Sequence, residues 1–294
     1  MAVFGNHNKL ADSATAGNGK MAQMSAHNRR TVLRMGLGAT LGAVAAGAGV
    51  LPRAAAEPAA TYQSGSFVSA ARGGMSTNWA IARPPGQTAP LRPVIALHGK
   101  GSDAATVMAG GVEQGLAEAV AAGLPPFAVV AVDGGGGYWH HRASGDDAGA
   151  MVLDELIPML AGQGLDTSRV GFIGWSMGGY GALLLGSRLG PARTAAICAV
   201  SPALWTSPGA AAPGAFDGAE DYEANSVWGV AALGSIPVRI DCGNGDPFAA
   251  ATGEFIAQLP HPPAGGFSPG GHDGGFWSSQ LPAEISWLAP ILVA

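Results

Sequence analysis

Residues 170–181 read VGFIGWSMGGYG, an apolar run that ends in a single serine set among glycines. Val170 to Ile173 has the continuous apolar character of a buried strand. The pattern Gly174-x-Ser176-x-Gly178 predicts a tight strand-to-helix turn, in which a side chain at either glycine would collide with neighbouring backbone. Such a turn lifts the serine hydroxyl clear of a sheet, where a base can reach it. The chain holds 47 Gly, so the pentapeptide alone is weak and its surroundings have to carry the reading.

Those surroundings alternate short apolar runs with helical patterns. Val94 to Leu97, Phe127 to Val132, Val170 to Ile173, Ala195 to Val200 and Val238 to Cys242 read as buried strands, and Phe267-Ser268 as a short edge strand. Val112 to Ala121, Asp146 to Leu160, Met177 to Leu189, Phe248 to Leu259 and a closing segment within Asp273 to Leu292 read as helices. Thr61 to Pro85 reads as early strands and turns. Continuous apolar strands separated by helices predict an α/β fold, a mostly parallel central sheet with helices on both faces. Sites in such sheets lie at the carboxyl ends of the strands, which is where Ser176 falls. Ser201 to Pro237, rich in Pro, Gly and Ala, reads as an insertion over that end.

A serine hydroxyl needs a base, and the base needs an orienting acid. On the α/β-hydrolase fold the order along the chain is serine, acid, histidine. Downstream of Ser176, the run DCGNGDPF offers Asp246 on a loop beyond a strand, and GGHDGGFW offers His272 before the last helix. Asp241 lies within the strand and is the weaker candidate. His261 sits in a proline-flanked stretch, His140 and His141 precede the serine, and Asp273 reads as a helix cap. An oxyanion would be met by the backbone N–H of Met177, at the start of a helix, and by that of Lys100, or less well Gly101, after the strand VIALHG. His98 reads as a histidine that shapes this turn.

Together the segments LHGKG, VDGGGGYWHHR, DELIPML, GWSMGGYGALLL, DCGNGDPF and GGHDGGFW resemble an α/β-hydrolase esterase family. That family includes S-formylglutathione hydrolases (esterase D), feruloyl esterases and the mycolyltransferase antigens of mycolate-walled bacteria; this chain resembles an exported actinobacterial-type member. The resemblance implies a triad of Ser176, Asp246 and His272, a hole completed by Lys100, and no cofactor. The hole residue at Lys100 is often apolar in the relatives. The four-glycine run Gly134 to Gly137 lacks the Gly-Lys-Ser/Thr ending of a phosphate cradle and reads as a turn lining the pocket. Tyr138 and Trp139 beside it are open to two readings, substrate contact or buried packing.

Charge is unevenly placed. Residues 1–56 hold six basic side chains against Asp12, leaving nine basic and nineteen acidic residues in the rest. An acidic body offers no electrostatic footprint for nucleic acid. Asn28-Arg29-Arg30-Thr31, an apolar run of 17 residues from Met35 to Leu51, and Ala54-Ala55-Ala56 have the layout of an export signal of twin-arginine type. The run is marginal as a spanning helix. The expected organisation is a signal over 1–56 and one hydrolase domain over 57–294, exported to the cell envelope or beyond, with no membrane span in the mature chain. Cys198 and Cys242 allow one bridge or two buried thiols, and no His/Cys spacing suggests a metal. Three functions fit these residues: an esterase acting on small-molecule, lipid or glycan esters through an acyl-enzyme, an acyltransferase handing the same acyl group to a sugar or lipid, and a non-catalytic binding protein on a hydrolase fold.

Overall fold

The computed structural model describes residues 61–294, so the proposed export signal lies outside the described residues. Eight strands form one sheet: β1 (Tyr62–Ser69), β2 (Met75–Ala82), β3 (Pro93–Leu97), β4 (Ala128–Val132), β5 (Val170–Trp175), β6 (Thr194–Val200), β7 (Val238–Gly243) and β8 (Ala264–Ser268). Their spatial order is β1-β2-β4-β3-β5-β6-β7-β8. The pairs β1–β2 and β2–β4 are antiparallel, and every other pair is parallel. This is the mostly parallel α/β-hydrolase sheet that the sequence predicts.

The central strands are apolar throughout because both of their faces are covered. Ile95, Leu97 and Phe172 enter one core, and Val94, Ala96 and Ile173 enter the other, as the two-residue period of a strand requires. The second core is closed by α1 (Ala104–Ala109), α2 (Val112–Ala121) and α8 (Gly274–Val293). The first is closed by the helical segment that starts at Ala148, by α5 (Met177–Leu189) and by α7 (Ala249–Gln258). By contrast, β1 alternates exposed and half-buried positions, as suits an edge strand.

Three elements differ from the sequence reading. The helix expected from Asp146 begins at Ala148 and is not uniform: α3 (Ala148–Ala150) runs into a π-helical stretch (Met151–Leu156) and then α4 (Ile157–Gly162). The acidic pair stands outside it. Asp147 caps it by accepting from the Ala150 N–H at 2.8 Å, and Asp146 pairs with Arg72 at 2.9 Å. Second, the stretch 201–237, read as an insertion, has a packed interior of its own. It contains α6 (Ala219–Ala224) and buries Leu204, Ala215, Tyr222, Val227, Leu233 and Ile236. Third, β8 starts at Ala264, three residues before the expected edge strand, and pairs in parallel with β7. Both cysteines are free and buried. Among the described residues no helix is long and apolar enough to cross a membrane.

A buried acidic cluster joins β6, β7 and α8. Cys198, Asp241 and Glu284 bring their side-chain ligand atoms within 4.8 Å of one another. Arg239 answers Asp241 with two donors, at 2.6 and 3.0 Å. Neither oxygen of Glu284 has a partner. Burial pushes the Cys198 thiol and the Glu284 carboxyl well up, with Asp241 adding to the effect on both. The cluster thus suits protonated groups beside an internal arginine, not a cation. A carboxyl raised by folding leaves stability intact below its unfolded value of about 4.3 and removes stability as pH climbs from there towards its folded value. Glu284→Gln is expected to leave the melting temperature almost unchanged near pH 4 and to raise it by roughly 3 °C or more at pH 8. Thermal melts of both proteins across that range check this; a gain that does not grow with pH would exclude an ionisation cost at Glu284.

Candidate active site

The turn between β5 and α5 is built by close backbone contact. Ser176 holds φ 55° and ψ −116°, a conformation that costs a non-glycine residue about 1–3 kcal/mol. Its main chain is clamped: its N–H donates to Val200 O at 3.0 Å, and its carbonyl accepts from Tyr180 at 3.1 Å and Ala203 at 3.0 Å. The glycines are steric necessities. A Cβ at Gly174 would stand 2.1 Å from Gly178 O, one at Gly178 1.8 Å from Leu97 O, and one at Gly179 2.9 Å from Val200 O. The turn therefore rests on β3 and β6 as well as on its own strand.

Asp246 and His272 reach this serine from the segments that follow β7 and β8, at the same end of the sheet. The His272 Nε2 is 2.8 Å from Ser176 Oγ, and its Nδ1 is 2.8 Å from Asp246 Oδ2. A carboxylate can only accept, so Nδ1 carries the proton and Nε2 is left to accept from the serine hydroxyl. The imidazole lies between Phe248, with ring centres 5.3 Å apart, and Trp277, edge-on at 5.2 Å. Asp246 is buried on the loop after β7. Burial alone would raise its carboxyl, but hydrogen bonds from His272, from the Phe248 N–H and from the Ser201 hydroxyl prevail and hold it below the ordinary value. It is therefore ionised when His272 needs an anion beside Nδ1. Asp241, inside β7, is taken up by Arg239 and does not touch His272. Asp273 caps α8 by accepting from the Phe276 N–H at 3.0 Å.

Two backbone donors, close in sequence to the serine turn and to the turn after β3, have no partner among the described residues. Neither the Met177 N–H nor the Lys100 N–H meets an acceptor among the described residues. Met177 opens the 13-residue α5, whose dipole adds positive potential at that end. Lys100 follows Gly99, which packs so close to Ser176 that an added Cβ would lie 3.5 Å from the serine Cβ. His98 holds this turn in place. It is buried, its Nε2 accepts from the Gly134 N–H at 2.9 Å, and burial lowers its pKa, which keeps it neutral. The proton is then on Nδ1, 2.7 Å from Gly99 O.

Tyr138 and Trp139 are both buried, in keeping with packing, the second of their two readings. Trp139 is fully buried and Tyr138 is 5% exposed. Neither lines the cavity at Ser176. The four-glycine loop does not line it either. A Cβ at Gly134 would fall 2.3 Å from the Trp139 ring and one at Gly181 2.5 Å from it, so glycine is required to let the indole in. The cavity itself, about 490 Å³, opens between β3, α1, α2 and α8. Val107, Val112, Trp175, Trp277 and Leu281 wall it, with Lys100, Ser176 and His272 among its polar groups. No residue of 202–237 lines it; that stretch approaches the site through Trp205, which packs edge-on to Phe248 with ring centres 5.5 Å apart. The sequence reading missed Ser201, whose buried hydroxyl accepts from Trp277 Nε1 at 3.1 Å. Its only signal is its position at the carboxyl end of β6.

The strained serine turn, its paired histidine and the two unsatisfied N–H groups define a serine hydrolase on the α/β-hydrolase fold. A family model described as Putative esterase matches residues 73–288, and the chain belongs to that family of carboxylic ester hydrolases. No curated protein matches the chain. Among solved structures, a ferulic acid esterase superposes with TM-score 0.68 at 20% identity, over 78% of this chain and 97% of the other. The S-formylglutathione hydrolase of Staphylococcus aureus gives 0.61 at 19%, over 80% and 100%. MPT51 of Mycobacterium tuberculosis gives 0.61 at 20%, over 80% and 99%. At these identities the likeness is one of fold.

Gly178 offers a clean test of the turn. Its missing Cβ would meet a carbonyl oxygen of β3, which cannot yield as a side chain can. Gly178→Ala is expected to lower the melting temperature by roughly 5 °C or more, or to prevent folding. An alanine variant with an unchanged melt would show that the turn is not packed in this way.

Proposed function

We propose that this chain is an exported serine esterase in which Ser176 is the nucleophile, His272 the general base and acid, and Asp246 the acid that orients it. The observation that carries the reading is the unbroken chain Asp246–His272–Ser176, with both links at 2.8 Å. Ser176 Oγ attacks the ester carbonyl carbon as its proton passes to His272 Nε2. The carbonyl oxygen becomes an oxyanion and accepts from the Met177 and Lys100 N–H groups. The C–O bond to the alcohol then breaks, and His272 returns the proton to the departing oxygen. Water repeats the sequence on the acyl-enzyme and releases the acid. An alcohol entering in place of water would make the same protein an acyltransferase.

A panel of 4-nitrophenyl esters, assayed with and without sugar acceptors, tests this. Ser176→Ala is expected to lose on the order of 10⁶ in kcat, His272→Ala nearly as much, and Asp246→Asn about 10⁴. Asp241→Asn should act mainly on stability, because its carboxylate serves Arg239. Fluorophosphonate labelling at a serine other than 176 would overturn the assignment. Acylated sugar in place of free acid would replace hydrolysis by transfer.

Export rests on the paired arginines ahead of the apolar run and on the small-residue stretch that follows it. Arg29→Lys with Arg30→Lys is expected to abolish appearance of the protein outside the cytoplasm, and the mature N-terminus should fall near Glu57. Undiminished export by the double variant would exclude the twin-arginine route.

A further inference from the structure

Lys100 has been used so far only for its backbone, and its side chain is unusual for this molecule. It is the only lysine beyond residue 56. Each of the arginines among the described residues donates to a carboxylate, a side-chain amide or a carbonyl oxygen. The Lys100 ammonium makes neither an ion pair nor a hydrogen bond among the described residues. It lies over the face of Tyr138, 5.7 Å from the ring centre. That contact steadies a cation without neutralising it. The carboxylates that flank the turn are already engaged: Asp103 accepts from the Thr106 N–H at 2.7 Å, and Asp133 from the Ala104 N–H and the Asn78 amide at 2.8 Å each. No carboxylate lines the cavity.

Among the described residues Lys100 is thus the one Lys or Arg side chain with neither an ion pair nor a hydrogen bond, and it stands in the wall of a largely apolar cavity that also holds the candidate nucleophile. We propose that Lys100 is a specificity-determining residue that selects esters carrying a carboxylate, with the apolar part of the substrate against Val107, Val112, Trp175, Trp277 and Leu281. This rests on the esterase reading above and adds the substrate class to it. The argument is one of complementary charge. An anion brought to Lys100 gains an attraction that no internal acid has used up, whereas elsewhere the negative surface repels it. A neutral ester of the same shape gains only the apolar wall. The carboxylate can stand on the acyl part or on the alcohol part, and the two sources separate experimentally.

The test measures a ratio, kcat/KM for an anionic ester over that for its neutral match. For the acyl side the pair is the 4-nitrophenyl monoester of glutaric acid against 4-nitrophenyl pentanoate. For the alcohol side it is 4-carboxyphenyl butanoate against phenyl butanoate. In one of these pairs Lys100→Met is expected to lower the ratio about 10-fold, chiefly through KM, which corresponds to about 1.4 kcal/mol. Lys100→Glu should lower it further and Lys100→Arg restore it, and added salt should depress the ratio in the wild type but not in Lys100→Met. Ratios unchanged by Lys100→Met and Lys100→Glu in both pairs would overturn the proposal. Failure of the wild type to turn over any of the four esters would instead overturn the esterase reading. In that event Ser176→Ala, alone and combined with Lys100→Met, is titrated with the intact esters while the fluorescence of Trp175 and Trp277 is followed. Tighter binding of the anionic ester only where Lys100 is present supports the proposal, and equal binding refutes it.

Discussion

The geometry of the site depends on one approach of backbone to backbone, that of Gly178 to the carbonyl of Leu97. With a methyl group at 178 only 1.8 Å from that oxygen, α5 could not start where it does. Because it starts there, Ser176 is forced to φ 55°, the Met177 N–H is left free at the head of the helix, and the turn after β3 lies against the serine. The proposed nucleophile and oxyanion donors are thereby set by one contact between the first turn of α5 and the end of β3. The strain at Ser176 is held by its three main-chain hydrogen bonds, two of which reach β6 and the segment just after it.

Asp246, the proposed acid, is governed by a different principle, the competition between burial and hydrogen bonding. Burial drives an isolated carboxyl towards its neutral form, as it does Glu284 in the same molecule. Asp246 escapes that fate because His272, the Phe248 N–H and the Ser201 hydroxyl all favour its charged form. The two carboxyls show how one fold keeps one acid ionised and another protonated, by supplying donors to the first and none to the second. Ser201 also ties the acid to Trp277, which packs edge-on to His272, so the base is confined on two sides by groups that answer to the same network.

What was legible in the sequence follows from how local the cause is. Strands buried on both faces are apolar at nearly every position, so β3 to β6 stand out from their neighbours, and β7 does so apart from its internal pair Arg239 and Asp241. The glycine-framed serine declares its turn because the residues that need glycine stand together in the sequence, and one of the clashes they avoid, that of Gly174 with Gly178, is itself local. Asp246 and His272 could be named because chain order and strand ends constrain where an acid and a base can sit. Asp241 and Asp246 are separated by whether a residue lies within a strand or beyond it, and β7 ends at Gly243, between them. Ser201 gave no such sign, since its role exists only through contacts with residues 246 and 277. The π-helical stretch after Ala150 and the packed interior of 201–237 are likewise products of tertiary contact, which a period in the sequence does not record.

The glycine loop after β4 shows why a segment can look functional and yet act at a distance. Tyr138 and Trp139 both adopt positive φ, at 57° and 61°, a conformation that aromatic residues seldom take. That costs energy, so it must be offset by what it places. It places the indole of Trp139 in the core, with glycines at 134 and 181 making room, and edge-on to His98 with ring centres 5.1 Å apart. His98 in turn is locked by the Gly134 N–H and fixes the start of the turn that carries Lys100. Tyr138, the neighbour in the same strained pair, faces the Lys100 ammonium. The loop therefore governs both the backbone and the side chain of Lys100 while touching no cavity surface. Its aromatic residues are positioning groups, and their influence on the site passes through His98 and Lys100.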